Sequence, residues 1–233
     1  MPAILAQRLQ GGEPGIVAGD ILVVTQKIVS KAEGRIVDPA GVEPSPEARA
    51  LAAEVGKDAV QVELVLREST GIVRTGPNVL IARHRLGCVM ANAGIDASNV
   101  GSERGGKVIL LPEDPDASAA RIAQACYDRT GQRPAVVISD SFGRPWRVGT
   151  VNVAIGIAGL PGVIDQRGQP DRDGRTMQVT QIAFADSVAA AAGLAMGEGA
   201  EGLPACVVRG LSWEGESQGS QSLLRSEVED LFR

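Results

Sequence analysis

Three carboxylates and one hydroxyl stand where the chain changes direction. Asp96 sits in the turn-rich stretch Asn92-Ala-Gly-Ile-Asp-Ala-Ser-Asn99. Asp140 ends an apolar run, with Ser141 beside it, in Val137-Ile-Ser-Asp-Ser-Phe-Gly-Arg144. Glu198 stands in Met196-Gly-Glu-Gly-Ala-Glu-Gly202. Taken singly, each reads as a turn or cap residue. Taken together they are hard oxygen donors at element ends, the set that suits Mg²⁺ or Mn²⁺. Lys27 and Lys31 follow the first strand-like run, and Arg144 and Arg147 follow Asp140. These cations can contact phosphate or serve as solvated surface charge. An acidic chain that handles polyphosphate needs metal to offset repulsion, so the two readings agree.

Two glycine-rich stretches imitate nucleotide motifs. Gly101-Ser-Glu-Arg-Gly-Gly-Lys107 is followed by Val108, where a Walker loop needs Ser or Thr for Mg²⁺, and by a strand instead of a helix. Gly197-Glu-Gly-Ala-Glu-Gly202 has dinucleotide-binding spacing. It follows a helical pattern and enters a strand, the reverse of the order that motif requires. A helix C-cap and turn explain it, and its exposed backbone amides remain able to cradle an anion.

The elements that must hold these residues follow from pattern. Residues 21–26 form a β-branched apolar strand opened by Gly19-Asp20. Ser45-Pro46-Glu47 opens a helix that Gly56 stops, and Asp58 caps a second. Strands are expected in 71–75, 78–85, 87–93 and 107–112, then a helix capped near Asp116, then a strand over 134–140. The second half offers strands over 151–159, 177–185 and 205–210, and an Ala-rich helix from about Asp186. Leu223, Leu224, Val228 and Leu231 have helical spacing. Strands and helices lack a strict βαβ rhythm, so the class is α+β.

Composition excludes several roles. Lys+Arg number 23 against 28 Asp+Glu, a net charge of −5, which argues against a phosphate-backbone binder, and 3% aromatic content is too little for base-stacking platforms. No nucleic-acid partner is expected. The longest weakly polar runs, 151–164 and 187–197, fall short of a membrane span, and Arg8 interrupts any signal-length apolar stretch. Cys88, Cys126 and Cys206 are widely spaced with no CxxC, as for reduced thiols in a cytoplasmic protein. His84 is the only histidine, which leaves no histidine metal cluster and no credible triad.

Four segments stand in an order that resembles the coenzyme F420-0:L-glutamate ligase (CofE-like) family: Gly19–Arg35, Asn92–Asn99, Ile138–Arg144 and Met196–Gly202. Leu111–Asp116, Val207–Gly210 and Arg225–Glu227 support them, and the resemblance covers about residues 19–232. It implies an α+β, CofE-like fold with mixed sheets and flanking helices, over 1–233 as one domain or two intertwined subdomains, with no fused C-terminal reductase-like domain. It implies a GTP-dependent amide ligase that adds one or more γ-linked L-glutamates to coenzyme F420-0 through an acyl phosphate. The expected setting is a cytoplasmic homodimer with two Mg²⁺ or Mn²⁺ sites and room for K⁺. On matching positions, Asp96 and Asp140 would hold the first metal, and Ser141 and Glu198 the second. Gln26, Lys27, Lys31, Asn99 and the loop Met196, Gly197, Glu198, Gly199, Ala200, Glu201, Gly202, Leu203 would contact GTP. Arg144 and Arg147 are added here as candidates for holding anionic substrate or stabilising transferred charge. Family members carry a further strand and a Leu-Pro-x-Ile-type segment ahead of the region that Met1 opens, so Ile4–Leu9 would be the helix that follows. A non-catalytic paralogue binding deazaflavin or nucleotide, or an amide ligase acting on another carboxylate, shares these motifs.

Overall fold

A strand with no polar face must be covered on both sides. Ile21-Leu-Val-Val is such a run, and all four residues are fully buried. The computed structural model describes residues 15–98, 100 and 106–230, so the expected helix Ile4–Leu9, Asn99 and residues 101–105 lie outside the described residues. In chain order the elements are β1 (Ile21–Thr25), α1 (Gln26–Ala32), β2 (Ile36–Val37), α2 (Pro46–Val55), α3 (Ala59–Glu68), β3 (Ser69–Gly76), β4 (Val79–His84) and β5 (Val89–Ala91). There follow β6 (Val108–Ile109), α4 (Pro115–Thr130), β7 (Ala135–Arg144), β8 (Arg147–Ala158), β9 (Val163–Asp165), β10 (Gln181–Ala183), α5 (Phe184–Met196) and β11 (Ala205–Val208). The class is α+β, with a mixed central sheet.

The chain divides into two compact units, each built from three stretches of sequence. The first comprises Met1–Ile28, Glu113–Ser141 and Thr150–Leu223. Its sheet has the order β11-β1-β7-β8. β1 runs parallel to β7, from Ile21 opposite Ala135 to Thr25 opposite Ser139. It runs antiparallel to β11, from Ile21 opposite Val208 to Val24 opposite Ala205. Ile21, Val23 and Val137 share a core with Ala185, Val188, Ala189, Ala192 and Met196 of α5. Leu22, Val24, Val136 and Ile138, which alternate onto the opposite face, are equally buried.

One ion pair closes the start of this sheet. Asp20 is fully buried, and Arg209 grips it with two bonds of 2.7 Å, Nε to Oδ1 and Nη2 to Oδ2. The Val17 amide donates to Oδ2 at 2.8 Å, and the Asp20 carbonyl accepts from Ala135 at 3.0 Å. The guanidinium holds the Asp20 carboxyl below the usual carboxylate range.

The second unit comprises Val29–Pro112, Phe142–Gly149 and Leu224–Arg233. α2 begins as the sequence predicts, with Ser45 Oγ accepting from the Ala48 amide and Pro46 at the first position, and Gly56 ends it in left-handed conformation. Asp58 caps α3 through the Val60 and Gln61 amides. These two helices bury Ala48, Ala52, Val55, Val62 and Val65 against Leu80 and Ala82 of β4, in the sheet β3-β4-β5. At the end of α3, the carboxylate of Glu68 takes Arg35 Nη2 at 2.7 Å and Arg85 Nε at 3.3 Å. His84, the only histidine, is fully buried. Its Nδ1 accepts from Leu86 at 3.0 Å, which puts the ring proton on Nε2, 3.4 Å from Glu68 Oε2. Burial pushes the Glu68 carboxyl up, but His84, Arg35 and Arg85 together outweigh it and hold it at about 2.

Several sequence expectations are corrected. The expected strand over 21–26 stops at Thr25, and Gln26 instead opens α1, an element absent from the expected order. α4 is capped by Asp114, with Pro115 at its first position, while Asp116 accepts from the Ile157 and Ser220 amides. The expected strand over 177–185 shortens to Gln181–Ala183, because α5 already starts at Phe184. The expected C-terminal helix is two short 3-10 turns, Ser220–Leu223 and Glu227–Glu229. Asp116, holding Ser220 by amide and hydroxyl, ties the first turn to α4.

Two outcomes are expected. Arg209→Ala leaves Asp20 buried and unpaired, so urea unfolding should show a loss of about 3–5 kcal/mol; a loss below about 1 kcal/mol would show that the pair is no anchor. For Glu68, the folded value of about 2 lies below the ordinary 4.5. Its contribution, roughly 3 kcal/mol, is complete above about pH 4.5 and fades as pH falls toward 2. Glu68→Gln should lower stability at pH 7 and flatten the acid side of a plot of Tm against pH; an unchanged acid limb would contradict the assignment.

Candidate active site

In a sheet with parallel strands, ligands gather beyond the strands' carboxyl ends. β1 and β7 are parallel; β1 ends at Thr25, opposite Ser139, while β7 runs on through Asp140 and Ser141 to Arg144. Gln26 and Lys27 therefore leave the same sheet edge that Asp140 and Ser141 occupy. β11 is antiparallel and enters at that edge, because Val24 is opposite Ala205. The Thr25 amide donates to the Pro204 carbonyl at 2.9 Å, fastening the glycine loop's exit to the end of β1. The register thus gathers Gln26, Lys27, Asp140, Ser141 and the loop Met196–Leu203 on one edge of the first unit.

Local physics fixes each group. Gln26 is buried at the first position of α1, and Lys27 beside it is half-buried. Asp140 is half-buried and Ser141 exposed, on opposite faces of β7. Met196 is buried in the α5 core, and Gly197 follows as the helix cap with φ 74°. The loop after it already holds an anion, for the Gly199 amide donates to Glu201 Oε2 at 2.8 Å. Glu198 is exposed, and its Oε1 accepts from Asn152 Nδ2 of β8. Asn152 went unnoticed in the sequence. It lies 46 residues from Glu198, in a strand whose pattern speaks only of burial.

The donor set fits a hard cation: Asp140, Ser141 and Glu198 offer only oxygen. Ser139, one residue before Asp140, is almost fully buried, and its Oγ lacks a hydrogen-bond partner among the described residues. Such an orphaned oxygen suits a bound ion, water or substrate at this edge. Among the described residues, no group of three or more His, Cys, Asp or Glu side chains is gathered closely enough to hold a metal unaided.

The other assigned residues belong to the second unit. Lys31 is half-buried near the end of α1. Asp96 is bridged to Ile109 by two backbone bonds, of 3.1 and 2.8 Å, and its carboxylate takes the Ser98 amide at 2.6 Å and hydroxyl at 2.9 Å. Before it, Asn92, Ala93 and Gly94 are all left-handed, with φ of 50°, 51° and 68°. Such conformation in two non-glycine residues is strain of the kind kept at functional positions. Arg144 and Arg147 flank Pro145-Trp146 at the tip of the β7–β8 hairpin, where Trp146 is left-handed and 83% exposed. Asn99, assigned to the nucleotide, lies outside the described residues.

The first unit also has a groove of about 900 Å³, lined by Asp165, Gln166, Gln169, Trp213, Glu214 and Gln218 among others. None of the assigned residues lines it. Among the described residues no helix is long and apolar enough to cross a membrane.

The sequence profile of the F420-0:gamma-glutamyl ligase family matches residues 1–210. The coenzyme F420:L-glutamate ligase of Methanothermobacter thermautotrophicus is 44% identical over 232 residues, 99% of this chain and 90% of that protein. That of Methanopyrus kandleri is 44% identical over 219 residues, covering 92% of this chain and 86% of its own length. That of Archaeoglobus fulgidus is 44% identical over 215 residues, covering 92% and 84%. A profile match over 210 residues, with such identity over nearly the whole chain, places this protein in the F420-0:gamma-glutamyl ligase family.

Proposed function

We propose that this chain joins L-glutamate to coenzyme F420-0, using GTP and a divalent cation. The observation that carries the proposal is the shared sheet edge, which gathers Gln26, Lys27, Asp140, Ser141 and an anion-holding glycine loop. Family membership supplies the reaction class and the substrates.

Amide formation from a free carboxylate is uphill in water because oxide is a poor leaving group. The proposed chemistry removes that obstacle in two steps. A carboxylate oxygen of the coenzyme attacks the γ-phosphorus of GTP, and GDP leaves. The glutamate amine then attacks the acyl-phosphate carbon, loses its proton, and expels phosphate. The products are the amide, GDP and phosphate. Little covalent chemistry falls to the protein; positioning and charge neutralisation dominate.

Each side chain has a defined task. Lys27, leaving β1 at the shared edge, offers a cation to the phosphates. The Gly197–Gly202 loop offers backbone amides, and its Gly199 donor exchanges Glu201 for a phosphate oxygen. Asp140 would serve one of two Mg²⁺ or Mn²⁺ positions, and Ser141 with Glu198 the other. When bound, the cations would neutralise charge on the phosphates.

Purified protein, coenzyme F420-0, L-glutamate, GTP and Mn²⁺ should yield a mass gain of one or more glutamyl units, absent when GTP or metal is omitted. Asp140→Asn should reduce turnover about 100-fold or more at unchanged Tm, the scale expected on losing a direct electrostatic group. A mass gain without GTP, or full metal-dependent turnover in Asp140→Asn, would overturn the proposal.

A further inference from the structure

Glycine inside a helix is unfavourable relative to alanine, so Gly193 within α5 requires a reason. The structure supplies one. A Cβ built on Gly193 would collide with Asn152 Nδ2, and would lie 3.0 Å from its Cγ and 3.3 Å from its Cβ. Asn152 therefore occupies space that any other residue at 193 would fill. From there Nδ2 donates to Oε1 of Glu198, just beyond the end of the same helix.

We propose that Asn152 is the positioning residue of Glu198, seated by the missing side chain of Gly193. The inference rests on the reading of Glu198 as a cation ligand. Glu198 is exposed and flanked by glycines, so its own backbone restrains it little. Left to itself, such a side chain samples many rotamers and loses that freedom whenever it coordinates. The Asn152 amide removes part of this cost beforehand. It commits Oε1 as an acceptor and leaves Oε2 and the remaining lone pair for a cation. An amide suits the task because it donates without adding charge; a carboxylate at 152 would repel Glu198, and a lysine would compete with the metal. Two independent features carry the assignment: the hydrogen bond, and a helix glycine whose absent Cβ makes room for it.

Mn²⁺ titration of the purified protein, read by the electron paramagnetic resonance of free Mn²⁺, tests this directly. Asn152→Ala should weaken Mn²⁺ binding about 10-fold or more, the usual effect of removing a partner that orients a ligand. In ligation assays the half-saturating Mn²⁺ should rise equally, while kcat at saturating Mn²⁺ stays within a few-fold. Gly193→Ala improves the helix intrinsically but displaces Asn152, so it should weaken Mn²⁺ binding with no loss in Tm. That variant decides the matter if Asn152→Ala unfolds early. Unchanged Mn²⁺ affinity in Gly193→Ala and in a folded Asn152→Ala, with affinity lost in Glu198→Gln, would overturn the positioning role and leave the metal reading standing. Unchanged affinity in Glu198→Gln would overturn both.

Discussion

A fully buried carboxylate must be neutralised, and here Asp20 is neutralised by a residue 189 positions away. The Asp20–Arg209 pair sets the register at which β11 lies against β1. Because side chains alternate along a strand, a one-residue slip would turn every apolar side chain of β11 to the wrong face. The same register decides where the glycine loop emerges. With Ile21 opposite Val208, Ala205 falls opposite Val24, and the loop before it arrives at the end of β1. The parallel pairing with β7 brings Asp140 and Ser141 there too. An ion pair at one end of the sheet thereby determines which groups meet at the other.

The second unit relies on the same kind of constraint. Glu68 joins the end of α3 to Arg35 and to the consecutive pair His84 and Arg85, two further stretches of the unit. Arg35 Nε also reaches the Leu111 carbonyl at 2.9 Å, and Arg85 the Pro112 carbonyl at 3.0 Å. The knot thus gathers the segment after β6 that leads out of the unit. Ala93, buried in the core of α2, α3 and β4, holds the left-handed turn in place. Its strain is tolerated because the surrounding packing over-determines it, and the turn delivers Asp96 to its backbone bridge with Ile109.

Much of this was legible where a single property decides the outcome. Ile21–Val24 reads as a buried strand because nothing in it is polar, and Ser45-Pro46 and Asp58 read as helix starts because capping is local chemistry. α1 is not legible in the sequence because it is short, partly β-branched and polar at four positions. The strands expected over 134–140 and 151–159 extend toward each other as β7 and β8, because Pro145-Trp146 carries a tight turn that pattern does not announce, with Trp left-handed where glycine is usual. At the C-terminus, leucine spacing suggested a helix, but Asp116 draws Ser220 into a short turn instead. The candidate site divides similarly. Asp140, Ser141 and Glu198 announce themselves by motif, whereas Asn152 and the orphaned Ser139 acquire meaning only through neighbours distant in sequence.

The interleaving of the two units bears on how the protein is made. Neither unit is a continuous piece of chain, and the first draws on residues from both sides of the second unit's longest stretch, Val29–Pro112. A ribosome adding about 5–20 residues per second releases β1 roughly ten seconds or more before Arg209 exists to neutralise Asp20. Through that interval β1 has two unpaired edges and no polar face, the profile of a segment prone to bind other chains. Its first partner, β7, is made more than a hundred residues later. Native closure must await late synthesis, so this architecture folds by long-range pairing and depends, while nascent, on whatever shields apolar strands in the cell.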